Sequence, residues 1–510
     1  MKSITSAVRA DLKTLEKLEL NPDDERLVHV LRSSNIPHFE LVWETTRRSR
    51  AVVDFGRRFY WEERPRGGRV NGKASTGTGE AKGGVKKGGR ASRSKYENSA
   101  LVDIVAEDGA EWIKVSTVTQ TRLIWELARQ GWHPEDDLSE AEDDGDELDH
   151  DAANGGNDAD DDSDDDISIL RMAKDLVRAS QHERVCYKHP RVHLILPRLQ
   201  PPLQPPIAKI LNRIRKLSPS ITLSLGDSSN LSAPAPSLTQ ALETITPDPH
   251  LTLTPTLNID CTILLALVSD LSHARAGGVE RQAWFHRATV RQLEMEAEEA
   301  LLPQTIYPAL EGRELVCTVE AAKRAQEIVE TIATPTERER MEVLLDDVMT
   351  VGQNETTAKA NGQTKCSTLE KWQALSDYKT PPDLRLPIRV ISADSATTYP
   401  TAIDASIAGS VSDQLSPLNQ SVFLYGWRAG LATVTSNRTV TKQIDGIIVG
   451  ELDLLERGSE AHAKGKGEKN GSVEEPMRDQ EFVGPNMWLC GTSRSLIGKE
   501  KGRKQDSLEK

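Results

Sequence analysis

Residues 257–272 read LNIDCTILLALVSDLS. A short apolar run ends at Asp260, and Leu264, Leu265, Leu267, Val268 and Leu271 then recur at helical spacing, so a strand passing directly into a helix is expected. Parallel α/β sheets are built from this unit. A carboxylate at a strand end just before a helix stands on the open edge of such a sheet, where ligands bind. Asp260 is equally suited to be the helix N-cap, with Cys261 and Thr262 opening the first turn. Spacing alone leaves both readings open.

Downstream, strands and helices continue to alternate. An acidic helix is expected over 282–300, and Cys317-Thr318 opens another with Ala321, Ala322, Ile328 and Ile332 on one side. Thr336 followed by Glu339 has capping-box spacing ahead of Met341, Val343, Leu344 and Leu345. Short apolar runs at 386–391, 421–425, 431–437 and 487–491 are expected strands, with loop insertions at 350–370 and 455–480. The segment 257–500 is therefore predicted to be an α/β domain, closed by a basic tail, 501–510.

Upstream, residues 1–220 are expected to form an α+β domain. Leu12, Leu15, Leu18 and Leu20, then Leu27, Val28, Val30 and Leu31, recur at helical spacing around the turn at Asn21-Pro22. Leu101–Ala106 and Glu111–Ser116 read as two strands joined across Asp108-Gly109. Helices follow at 120–130, 167–180 and 207–217, with a strand pair or one bent strand at 185–199. His189 and His193 lie four apart, as zinc ligands on a helix do, but Pro190 and the β-branched run favour ordinary strand histidines. Residues 221–256, rich in Ser, Thr and Pro, read as a linker with one short helix at 238–245.

Charge is unevenly distributed. The 510 residues carry a formal net charge of -14, yet 18 of the acids lie between Glu135 and Asp166, and the rest of the chain carries +4. Both this acidic insertion (135–166) and a Gly-rich basic one (64–95, ten Lys or Arg) contain too little apolar surface to offset the entropy of ordering. Either is a solvated insertion or a partner-binding arm. In the second reading Lys86, Lys87 and Arg90 of the basic tract are candidate nucleic-acid contacts. Five scattered cysteines with no C-x-x-C exclude a disulfide scaffold and a cysteine zinc finger, and fit a reducing compartment. The opening residues lack a signal peptide's apolar core, and the longest apolar run, Ile263 to Val268, is far short of a membrane span. A soluble protein of cytoplasm or nucleus, with no membrane partner, is expected.

Several blocks together, LNIDCTILLALVSDLSH, LEGRELVCT, TPTERERMEVLL, LATVTSN and TSRSLIGK, resemble an uncharacterised eukaryotic family, domain-of-unknown-function family 1308 (DUF1308). VDIVAEDGAEWIKVST and YKHPRVHLILPRL are similar to that family's N-terminal region. The resemblance implies a C-terminal PIN-like domain, a small α/β fold that in many relatives is a metal-dependent ribonuclease. Such enzymes gather three or four carboxylates at the carboxyl edge of a parallel sheet around Mg²⁺ or Mn²⁺, which activates water and stabilises phosphodiester charge. Asp260 matches the first of them and is the candidate catalytic and metal-binding residue.

This chain departs from that pattern. LATVTSN ends in Asn437 where such enzymes place another Asp, and the turn ahead of that strand, Tyr425 to Gly430, has Arg428 and no acid. Glu296, Glu298 and Glu299 are further candidates on the acidic helix. With Asn437 and Arg428 as remnants at the site's edge, the resemblance implies a degenerate PIN-like protein that binds RNA or protein without catalysis. The alternative is a metal-dependent ribonuclease that draws its ligands from elsewhere. A small-molecule α/β enzyme is disfavoured, because no G-x-G-x-x-G, P-loop or G-x-S-x-G motif is present.

Overall fold

The computed structural model describes residues 2–21, 24–32, 34–61, 98–131, 167–226, 234–275, 278–279, 282, 285–345, 364–465 and 482–498. The basic and acidic insertions, the tail 501–510 and much of the two expected loop insertions lie outside them. Two compact units divide at Asp248 and Pro249. Among the described residues no helix is long and apolar enough to cross a membrane.

The N-terminal unit opens with helices α1 (Lys2–Leu20), α2 (Glu25–Arg32) and α3 (Ile36–Thr46). Its five-stranded sheet has the order β1 (Asp54–Tyr60), β2 (Ser99–Ala106), β3 (Glu111–Val115), β4 (Arg191–Leu196), β5 (Ile221–Leu225). The first three strands run antiparallel and the last three parallel. The β2–β3 hairpin forms where Asp108-Gly109 announced it, with φ of 54° and 103° at those residues. Helices α4 (Gln120–Arg129), α5 (Ser168–Ser180) and α6 (Pro205–Lys216) connect the parallel strands, and α7 (Leu238–Ile245) closes the unit. Leu123, Leu170, Leu176, Ile207 and Leu211 from α4 to α6 are buried with Val102, Trp112, Val192 and Leu194 of the sheet. Val42 of α3 is buried in a second cluster with Ile104, Ile113 and Ile195. Helices thus cover both faces of the sheet, and each fully buried Leu or Ile contributes roughly 1.5–3 kcal/mol.

One boundary is corrected here. Ile221–Leu225, expected at the head of a linker, is the edge strand β5, and the unit runs on to Asp248. Ile221 is buried and Leu223 and Leu225 are half-buried against the core, so the strand alternates apolar and polar residues within a stretch otherwise rich in Ser, Thr and Pro.

The C-terminal unit is built on five parallel strands in the order β10 (Met487–Leu489), β9 (Ala432–Thr435), β6 (Thr256–Ile259), β7 (Glu314–Thr318), β8 (Arg389–Ile391). This confirms the α/β class expected for this half, while the mixed sheet upstream fits α+β. From β6 the chain passes through α8 (Cys261–Val268), α9 (Asp270–His273), α10 (Arg287–Glu298) and α11 (Tyr307–Leu310) to β7. Helices α12 (Val319–Ile332), α13 (Pro335–Leu344) and α14 (Thr364–Ala374) precede β8. Helices α15 (Ala402–Ser412), α16 (Pro417–Asn419) and α17 (Tyr425–Arg428) precede β9, and α18 (Arg438–Gly465) precedes β10.

Three expectations change. Residues 421–425, read as a strand, form a π-helical turn, Gln420–Leu424, running into α17. Val422 to Trp427 are all buried, so the segment has no polar side to reveal a helical period. Gly426 lets this turn lie against the sheet: a Cβ there would stand 2.1 Å from Thr433 Oγ1. The capping box lies two residues earlier than expected, with Thr334 as N-cap and Glu337 at N3. Finally, α14 and α18 extend into both segments read as loops, 350–370 and 455–480.

Candidate functional site

The strand order places β6 at the centre of the C-terminal sheet. The chain steps outward from it to β7 and β8, then returns to β9 on its other side. The β6/β9 boundary is a topological switch point, and the carboxyl ends of those strands are where open α/β sheets bind ligands. Asp260 follows β6, and Ser436 and Asn437 follow β9.

Asp260 is 3% exposed. Its amide donates to the Val434 carbonyl at 3.0 Å, and its own carbonyl accepts from Ile263 and Leu264, which starts α8. The carboxylate does not cap that helix. Instead Oδ2 accepts the Thr262 hydroxyl at 2.6 Å and the Thr435 hydroxyl at 2.7 Å. Both hydroxyls are themselves fixed, since Thr262 Oγ1 accepts the Ser436 amide (3.1 Å) and Thr435 Oγ1 accepts the Asn437 amide (2.9 Å). Asp260 and Asn437 are thus brought together through one threonine. The Asn437 side chain turns away, its Oδ1 accepting the Val440 amide at 3.3 Å in the first turn of α18. Beside Asp260, burial and the neighbouring carboxylate push the Cys261 thiol up to about 12, with Arg324 opposing, so it is no nucleophile near neutral pH.

The other predicted residues stand elsewhere. Arg428 donates through Nη2 to the Ala393 carbonyl at 3.1 Å, with its guanidinium 6.0 Å from the Tyr399 ring centroid. Glu296 is buried in an ion pair with Arg494 Nε at 2.7 Å, and burial raises its pKa despite that partner. Glu298 and Glu299 are exposed. Lys86, Lys87 and Arg90 lie outside the described residues. In the N-terminal unit, His193 sits between Glu111 Oε1 (3.2 Å) and Ser224 Oγ (2.8 Å), while His189 Nδ1 lies 2.9 Å from the Glu183 carbonyl oxygen.

Glu320 in the first turn of α12 and Asp394 beyond β8 add exposed carboxylates near the ends of β7 and β8. Among the described residues, however, no three His, Cys, Asp or Glu side chains are grouped so as to hold a metal ion. Mg²⁺ is held octahedrally by one or two carboxylates that are open to it, with waters and substrate phosphates completing the shell. One buried carboxylate, with Oδ2 already committed to two hydroxyls beside a neutral Asn, is a poor match for that demand.

Residues 257–373 match the family described as "Protein of unknown function (DUF1308)". The matched stretch begins inside β6 and ends in α14, so it contains Asp260 but neither Arg428 nor Asn437. A search of curated proteins and a search of solved structures each find no match.

Two clusters were missed in the sequence. In the N-terminal unit, Asp103 of β2 is buried, accepts Lys114 Nζ at 3.0 Å and the Val115 amide at 2.9 Å, and has His38 Nε2 at 3.8 Å. Burial lowers the His38 pKa, Asp103 opposing and Lys114 adding to the shift. A hairpin folded about Asp108-Gly109 sets residue 103 opposite 114, so this pairing was readable in principle. In the C-terminal unit, Asp270, Thr334, Glu337 and Arg340 form a polar cluster within the DUF1308 match. Asp270 Oδ1 accepts Arg340 Nη1 (2.6 Å) and the Thr336 hydroxyl (2.7 Å), and Oδ2 accepts the Thr334 hydroxyl (2.6 Å). The capping-box spacing of Thr334 and Glu337 is a local motif, but nothing local announces Asp270 and Arg340 as members of the cluster.

Proposed function

We propose that the C-terminal unit is a PIN-like domain without hydrolytic activity, and that it acts as a binding module for single-stranded RNA at the carboxyl edge of its sheet. The observation that carries this reading is the state of Asp260, whose Oδ2 is held by Thr262 and Thr435 beside a neutral Asn437. A strand order centred on β6, with its switch point at Asp260, supports the PIN-like assignment. The start of α12, capped by Thr318, and the start of α18, at Asn437, lie at the ends of β7 and β9 and suit phosphate oxygens there. Arg438 adds an exposed cation at the first residue of α18. Independently of that edge, Lys86, Lys87 and Arg90 of the basic tract are candidate phosphate contacts.

The test is RNA binding and cleavage by the full chain with Mn²⁺. Binding without cleavage, unchanged in Asp260→Asn, is expected. Deletion of 64–95 removes ten cations and should weaken binding and flatten its salt dependence. Mn²⁺-dependent cleavage abolished by Asp260→Asn would instead establish the metal-dependent ribonuclease.

A further inference from the structure

In the N-terminal unit, Glu111, His193 and Ser224 come from three neighbouring strands, β3, β4 and β5. The parallel register pairs His193 with Ile113 on one side and with Thr222 on the other. Glu111 therefore lies two residues before one partner and Ser224 two residues after the other, a diagonal within reach of long side chains. Alternation along the strands puts all three on the sheet face of Ile113 and Ile195, opposite Val192, Leu194 and Leu223.

The His193 ring bridges the other two, with Nδ1 3.2 Å from Glu111 Oε1 and Nε2 2.8 Å from Ser224 Oγ. An ionised carboxylate only accepts, so Nδ1 carries the ring hydrogen. In the neutral ring Nε2 is then an acceptor, and the Ser224 hydroxyl donates to it. The hydrogen bond from His193 holds the Glu111 pKa below its ordinary value against the opposing effect of burial, and the His193 and Arg191 charges add to the lowering. Glu111 is thus the anion that this tautomer requires. Carboxylate, imidazole and hydroxyl stand in the order that activates a serine for acyl transfer.

These groups are not sealed in the core. The His193 and Glu111 side chains are 25% and 23% exposed, Ser224 is half-buried, and Thr222 on the same face is exposed. Polar groups this open are solvated by water, so the fold does not need the three to satisfy one another. β5 is the edge strand of the sheet. The Val192 amide donates to the Ser220 carbonyl at 3.0 Å, so residues 220, 222 and 224 turn their backbone groups towards β4. The Leu223 amide, between them, points away from β4 and is a backbone donor on the same strand as the Ser224 hydroxyl.

We propose that Ser224 is a nucleophile towards small carboxylic esters, with His193 as its general base and Glu111 as the residue that positions the imidazole. The Oγ lone pair attacks the ester carbonyl carbon while the hydroxyl hydrogen passes to His193 Nε2. The bond from that carbon to the alcohol oxygen then breaks, and the departing oxygen takes the hydrogen from Nε2. An acyl-serine and an alcohol result. Water, giving its proton to the same nitrogen, attacks the acyl-serine, releases the carboxylic acid and restores Ser224. This stands independently of the RNA-binding reading.

Incubating the full chain with a fluorophosphonate, which traps activated serines whatever acyl group they prefer, and mapping the label by peptide mass spectrometry tests the assignment. Label on Ser224 is expected, with p-nitrophenyl acetate hydrolysed at a rate that falls about hundredfold in His193→Gln. The map of the wild type decides even where a variant folds poorly. Glu111→Gln separates positioning from packing, because its amide can donate to Nδ1 and move the ring hydrogen to Nε2. Nitrogen NMR of the isotopically labelled imidazole should show that switch of tautomer, and labelling of Ser224 should slow with it. No label on Ser224, labelling at full rate in His193→Gln or Glu111→Gln, or a wild-type ring with its hydrogen on Nε2 would overturn the proposal.

Discussion

The two ends of α8 each present a buried carboxylate, and they are held in opposite ways. At the first end, Asp260 accepts two side-chain hydroxyls. Near the other, Glu337 is fully buried and accepts three backbone amides: Asp270 (3.1 Å) and Ile497 (3.1 Å) on Oε1, and Thr334 (3.0 Å) on Oε2. A threonine hydroxyl can rotate to another acceptor or to water, whereas a backbone amide points where the fold puts it. Asp260 is thus a replaceable polar neighbour. Glu337 ties the start of α9, the N-terminus of α13 and the closing segment to one another. Position at the carboxyl edge of the sheet and importance to the fold belong here to different carboxylates.

The largest effect that would sharpen this contrast belongs to Glu337→Ala. It leaves three amides unsatisfied, each costing about 1–3 kcal/mol if no water reaches it, so a loss of about 3–5 kcal/mol is expected in chemical unfolding of the C-terminal unit. Glu337→Gln keeps one carbonyl acceptor, so its loss should be clearly smaller. A loss under about 1 kcal/mol for the alanine variant would erase the distinction between the two ends.

A pH dependence comes next in size. Burial and the nearby Arg340 cation hold the folded pKa of His273 down to about 3, below its unfolded value of 6.5. The unfolded chain therefore binds a proton that the folded one refuses. Stability is fully present above about pH 6.5 and is lost as pH falls from there towards 3, at about 1.4 kcal/mol per pH unit for this one group. Glu296 and Glu337, both raised by burial, work in the opposite sense, their ionisation cost being relieved as pH falls. The slope is thus to be read as the difference between the wild type and His273→Gln in urea unfolding at pH 7, 6 and 5. A pH-independent difference would show that His273 titrates normally and is more open than its burial indicates.

How much of this was legible follows from the reach of each interaction. The β2–β3 hairpin, the β6–α8 junction and α4 to α6 announce themselves through local turn chemistry and periodicity. The capping box slipped because Thr-x-x-Glu occurs twice, as Thr334–Glu337 and Thr336–Glu339. Pro335 settles it, since a proline suits the first position of a helix. β5 escaped because its short alternation is set in a Ser-, Thr- and Pro-rich stretch that reads as linker, and the turn at Gln420 because Val422 to Trp427 are buried and show no polar side. The place of Asp260 was legible because a strand end beside a helix start is a local pattern. The Glu337 contacts join residues 67 and 160 positions away, distances at which pairing leaves no periodic trace.

The smallest expected effect is also the most direct test of the Asp260 edge. In Asp260→Asn the amide oxygen can take the place of Oδ2 and keep both threonine hydroxyls, so a stability change of about 1 kcal/mol or less is expected. Asp260→Ala leaves those hydroxyls to find new acceptors in a buried setting and should cost more, about 1–3 kcal/mol. A carboxylate that belonged to a cation site would behave differently. Mn²⁺ would raise the melting temperature of the wild type by linkage, and Asp260→Asn would remove that rise while being more stable than wild type in the absence of metal, because carboxylate repulsion is relieved. The hydroxyl-held carboxylate described here has no such repulsion to relieve, so thermal melting of both proteins should be equally insensitive to Mn²⁺.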